Sequence, residues 1–117
     1  MEETELWLRK SERDAGKKVD KEIIDIIKKF KKRAKVDKVI LFGSYAKGNL
    51  TEHSDVDLIL VAKRFEKKSF HSRFKGLWSK WHSDLPVDFI PFSPKEFKEL
   101  SKKVSIVSEA LREGVEI

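Results

Sequence analysis

A length of 117 residues with 39% hydrophobic content fits one domain, and the absence of cysteine excludes a disulfide framework or a thiolate metal site. No apolar run approaches the roughly 18 residues of a membrane span. The acidic start Met1-Glu2-Glu3-Thr4-Glu5 lacks the pattern of a signal peptide, so a cytoplasmic protein is expected. Charged residues also make up 39%, and the formal net charge of +6 favours anionic partners, though much of the excess sits in lysines 28–35, whose plainer reading is a solvated helix face.

Residues 1–18 read as an N-terminal extension, with a short helix over 3–14 ending near Gly16. Its Leu6-Trp7-Leu8 cluster packs either on this chain's core or on a partner. Residues 20–35 carry the clearest helical pattern. Asp20 is placed to cap it, and Ile23, Ile24, Ile26, Ile27 and Phe30 form one apolar stripe. Val39-Ile40-Leu41-Phe42 is a continuous apolar strand, buried on both faces. A Gly-Ser turn and a short helix over 43–53 follow, then a second strand over 54–62.

Phe70, Phe74, Leu77, Trp78 and Trp81 fall at helical spacing, which predicts an amphipathic helix over 69–82 with the aromatics in the core. Pro86 and Pro91 bracket a third strand. Ser93-Pro94-Lys95-Glu96 is a helix-start signature. The stripe Phe97, Leu100, Val104, Val107, Leu111 follows, with a break near Lys102-Lys103 and a stop at Gly114. Val115-Glu116-Ile117 suits a short edge strand. The pattern predicts a small α/β (α+β) domain, a mixed sheet of three or four strands with helices packed on it.

The chemistry is concentrated in Gly43-Ser44-Tyr45-Ala46-Lys47-Gly48 and Ser54-Asp55-Val56-Asp57-Leu58. On a strand, Asp55 and Asp57 share a face, their Cα atoms about 7 Å apart. Two bare carboxylates there repel each other, and a hard cation such as Mg²⁺ removes that cost. Asp88 in the third strand supplies a third carboxylate. Such a set suits metal-assisted phosphoryl chemistry. Gly43 permits close backbone approach, and Ser44 opens a helix whose N–H groups face an anion. Lys47, one turn on, adds a cation near the phosphates or is one lysine among many. His53 either touches substrate or is a loop residue. His53, His71 and His82 have no metal-ligand spacing.

Gly43-Ser44, followed after ten residues by Asp55-Val56-Asp57, resembles the signature of the DNA polymerase beta-like nucleotidyltransferases. The wider context is similar to the minimal nucleotidyltransferase (MNT) group over residues 19–117, and residues 1–18 carry no part of it. The resemblance implies the polymerase beta-like fold and transfer of a nucleoside monophosphate, with pyrophosphate leaving. It implies that Gly43, Ser44 and Lys47 bind nucleotide. It also implies that Asp55, Asp57 and Asp88 are catalytic and hold Mg²⁺ (two ions), with ATP as substrate. Members of that group often pair with a helical HEPN protein as toxin and antitoxin, so AMP transfer to a HEPN tyrosine is the implied activity. Nucleic acid is not required for it. Two alternatives stand beside it. One is a binding antitoxin or nucleotide-binding subunit acting by contact alone, for which Trp7 and Trp81 are candidate exposed apolar residues. The other is a small-molecule or RNA nucleotidyltransferase completed by another subunit.

Overall fold

The computed structural model describes residues 9–10, 20–48, 50–51 and 53–117. Its elements in chain order are β1 (Arg9–Lys10), α1 (Lys21–Ala34), β2 (Lys38–Phe42), α2 (Ser44–Lys47), β3 (Val56–Val61), β4 (Val87–Phe92), α3 (Pro94–Ser101), α4 (Ile106–Glu113) and β5 (Val115–Glu116). The helix expected over 3–14, and Trp7 with it, lies outside the described residues. The exception is Arg9–Lys10, which pairs as strand.

The sheet order is β1-β5-β2-β3-β4. Strand β2 runs antiparallel to β3 and β5, whereas β3–β4 and β1–β5 are parallel. This is the mixed α/β sheet expected from the sequence, with Arg9–Lys10 adding a fifth strand to four. β5 is therefore not an edge, because it lies between β1 and β2.

Alternation along the strands divides the core in two. One face carries Val39, Leu41, Val56, Leu58, Leu60 and Phe89 under α1, whose Ile23, Ile24, Ile27 and Phe30 are buried against it. Asp20 caps α1, its carboxylate accepting from the Glu22 amide at 2.8 Å. Phe30 is fully buried, stacked on Phe89 at 5.0 Å and edge-to-face with Trp81 at 5.6 Å. The other face carries Ile40, Ile59 and Val61 under Phe97, Val107, Ala110 and Leu111 of α3 and α4.

The helix pair α3–α4 breaks where the lysines predicted. Ser93 and Ser105 each close a capping box. Val104, expected on the apolar stripe, falls in the turn between the helices and is fully exposed. Pro91 does not end β4, which continues to Phe92. An edge strand tolerates the missing N–H.

The segment 69–82 is the main departure. It forms two short 3₁₀ turns, His71–Phe74 and Trp78–Lys80, instead of one α-helix. Gly76 sits between them at φ 81°. The Ser72 hydroxyl donates to the Ser69 carbonyl and the Ser79 hydroxyl to the Gly76 carbonyl, both at 2.8 Å. Such local bonds compete with the helical ladder. The aromatics divide accordingly: Leu77 and Trp81 are buried, and Phe70 and Trp78 are exposed. Trp81 is thus not an exposed apolar residue. Its indole N–H donates to the Leu85 carbonyl at 2.8 Å.

Phe30→Ala removes the ring that joins α1 to both β4 and the 3₁₀ segment. It should cost about 3–5 kcal/mol of unfolding free energy, measured by urea titration.

Candidate active site

The register of β3 places the carboxylates. Phe42 of β2 is paired with Asp57 of β3, and Asp57 with Asp88 of β4. Phe42, Asp57 and Asp88 thus form one row across the sheet, on the face covered further along by α3 and α4. The next row inward is Ile40, Ile59 and Ile90. The apolar face ends in acid. Asp55 lies one residue before β3, after a turn in which Ser54 accepts from the Thr51 amide at 2.8 Å.

Gly43 joins this row to the turn. Its φ of 73° and ψ of −152° lie where side chains are rarely tolerated. A Cβ there would overlap Oδ2 of Asp57. The Asp57 carboxylate occupies the space that glycine leaves. The Gly43 carbonyl accepts from the amides of Ala46 and Lys47, both at 3.1 Å, and Gly48 ends α2 in the left-handed region. The amides of Ser44 and Tyr45 are then the outward donors of the first turn. Tyr45 packs against the α1-side core.

Electrostatics report the same convergence. Asp57 is half-buried, and burial raises its carboxyl above the ordinary value. The charges of Asp88 and Asp55 raise it further. Among the described residues, no three His, Cys, Asp or Glu side chains are drawn together tightly enough to hold a metal ion. The chemistry of the donor set nonetheless fits Mg²⁺: the charges of Asp55 and Asp88 both act on Asp57, which fills the space beside a glycine.

Lys47 is placed differently from the other expected residues. Its ammonium is paired with Glu113 of α4 at 2.9 Å, and the Glu113 hydrogen bond and charge raise its pKa. Glu113 escaped the sequence reading because 66 positions and no pattern connect it to Lys47. His53 and His71 are exposed, and His82 meets the Ser79 carbonyl at 3.2 Å.

A family model described as "Nucleotidyltransferase domain" matches residues 21–113. The chain belongs to this family. A protein of Methanocaldococcus jannaschii, named "Putative protein adenylyltransferase", is 37% identical over 102 residues, spanning 82% of this nucleotidyltransferase and 99% of its relative. A second protein of that name and organism is 48% identical over 44 residues, covering 38% of this chain and 43% of the other. A crystal structure titled as a putative nucleotidyltransferase from Sulfolobus solfataricus superposes with a TM-score of 0.48 at 19% identity, covering 80% of this chain and 83% of that one. No helix among the described residues is long and apolar enough to cross a membrane.

Two predictions follow from the Gly43–Asp57 contact. Gly43→Ala forces a strained φ and displaces the carboxylate, so it should cost about 1–3 kcal/mol of stability in chemical denaturation. Asp57→Asn should have the opposite effect at neutral pH, raising stability by roughly 0.5–1 kcal/mol after allowing for solvent screening. The sign follows from the raised carboxyl: its ionised form is the penalised one, and the penalty vanishes as pH falls through the folded-state value. The two melting temperatures should therefore converge in acid.

Proposed function

We propose that this nucleotidyltransferase is a Mg²⁺-dependent protein adenylyltransferase. It transfers AMP from ATP to a protein hydroxyl, a tyrosine of a HEPN-type partner that it thereby neutralises as antitoxin. The observation that carries the reading is the row in which Asp57 and Asp88 stand side by side, with Gly43 giving up its side-chain space to Asp57. The 37% identical relative, named as a putative protein adenylyltransferase, supports the acceptor class. The tyrosine and the HEPN partner rest on the resemblance of the Gly43-Ser44 and Asp55-Val56-Asp57 motifs.

The residues divide the work by position. The Ser44 and Tyr45 amides face an anion at the turn, and Gly43 lets the phosphates approach the backbone. Asp55, Asp57 and Asp88 would hold Mg²⁺, which supplies positive charge to the phosphates and to the departing pyrophosphate. Asp88, on the edge strand, is the carboxylate an acceptor can reach from outside the sheet. It orients the incoming hydroxyl and takes its proton. The hydroxyl oxygen forms the new bond to the α-phosphorus, the bond from that phosphorus to the α,β-bridging oxygen breaks, and pyrophosphate leaves. Lys47 stays with Glu113 and steadies the turn, instead of serving as a free phosphate ligand.

A second reading, neutralisation by contact alone, is favoured by the exposed rings of Phe70 and Trp78. One experiment separates the two. The chain is mixed with its partner and α-labelled ATP, and label on the partner is measured for wild type, Asp57→Asn and Asp88→Asn. Adenylyl transfer predicts at least about a 100-fold loss in each variant. Undiminished labelling would overturn the catalytic assignment. Variants that transfer nothing yet still protect cells from the partner would establish the contact reading.

A further inference from the structure

Glu113 stands where its own helix gives it no reason to stand. It is the last residue of α4, and the helix dipole there favours cations over acids. Glu109 lies one turn earlier, and like charges at that spacing repel. Both carboxylates act on the Lys47 ammonium, which meets Glu113 at 2.9 Å. Lys47 belongs to α2, in the turn that Gly43 opens. The acidic end of α4 is matched to that turn and not to its own helix.

The backbone brings this end to the turn. Gly114 follows Glu113, and its amide donates to the Ala110 carbonyl at 2.6 Å. A Cβ at Gly114 would overlap the Ala110 carbonyl and lie 2.9 Å from the Leu41 carbonyl of β2. A glycine here lets the chain leave α4 close against the strand. Val115 then pairs with Leu41, two residues before Gly43. Glu113 is thus delivered to the end of β2 at which the turn begins.

The turn is held from both faces of the sheet. α2 is a single turn, too short to sustain itself in water, so its position is set by contacts outside it. On the α1 side Ala46 is buried and Tyr45 packs against the core. On the α4 side the tie is the Lys47–Glu113 pair. Amides fixed in this way face an anion with little ordering left to do on binding.

We propose that Glu113 is a positioning residue for the nucleotide. Acting through Lys47, it fixes the turn from Gly43 to Gly48 so that the Ser44 and Tyr45 amides stay directed at the polyphosphate. This rests on the reading of the turn as the nucleotide site. It adds a determinant of nucleotide affinity on a helix that contributes nothing to the row of Phe42, Asp57 and Asp88.

The test is calorimetric titration of the full chain, in Mg²⁺, with each of the four ribonucleoside triphosphates. The variants are Glu113→Gln, Lys47→Gln, both together, and Lys47→Arg, which keeps the pair. With side chains 42% and 44% exposed, the pair contributes little to global stability, so the variants fold. Glu113→Gln and Lys47→Gln should each weaken ATP binding about fivefold, and the double variant should be no weaker than the worse single one. Lys47→Arg should bind within about twofold of wild type. Affinity unchanged or tightened in Glu113→Gln overturns the proposal, because a purely structural pair leaves affinity alone and a released Lys47 would serve the phosphates directly. Losses that sum in the double variant overturn it as well, since the two residues then act separately. A wild-type chain that binds another triphosphate in place of ATP overturns the choice of ATP, and the same variants test Glu113 on that nucleotide. A wild-type chain that binds none of the four overturns the turn as a nucleotide site, and the role of Glu113 with it.

Discussion

The arrangement depends on like charges held together at the end of an apolar face. Ile59 and Ile90 are neighbours in the row that α3 and α4 cover, and Asp57 and Asp88 are neighbours in the row beyond it. The packing that fixes the isoleucines fixes the carboxylates, because one parallel register sets both. A slip of β4 by one residue would turn Asp88 to the α1 side and part it from Asp57. Repulsion within the acid row is therefore sustained by the hydrophobic rows behind it. A domain of this size has roughly 5–15 kcal/mol of net stability to set against such strain.

The placement of the candidate site's residues was largely legible in the sequence. Gly43, the Asp55–Asp57 pair and the strands that carry them are local features whose periodicity is short. Asp88 was legible only as an acid in a strand-like run. Its pairing with Asp57 depends on β3–β4 parallel register, set by a crossover of more than 20 residues that no local pattern encodes. Lys47 shows the same limit, since its partner Glu113 becomes a neighbour only after α4 has folded over the sheet.

The crossover itself was misread, for a physical reason. Helical spacing of Phe70, Phe74, Leu77, Trp78 and Trp81 is a real pattern, but spacing says nothing of backbone competition. Three serines and Gly76 supply local bonds and a left-handed residue that divide the segment into separate turns. Buried Leu77 and Trp81 then point to α1, and Phe70 and Trp78 are left outside. The solvent-facing aromatic row is a product of the broken helix.

Glu96 has a role larger than capping. Its Oε1 accepts both from the Ser93 amide at 2.8 Å and from Arg73 at 2.6 Å. Burial opposes its charge, but the Arg73 and Ser93 bonds outweigh that and lower its pKa. One oxygen atom thus closes the first turn of α3 and anchors the segment before β4. Fraying of that segment uncaps the helix, and uncapping the helix frees the arginine. The shared oxygen couples the two regions, so their amides should exchange with solvent together, at a rate set by the same opening.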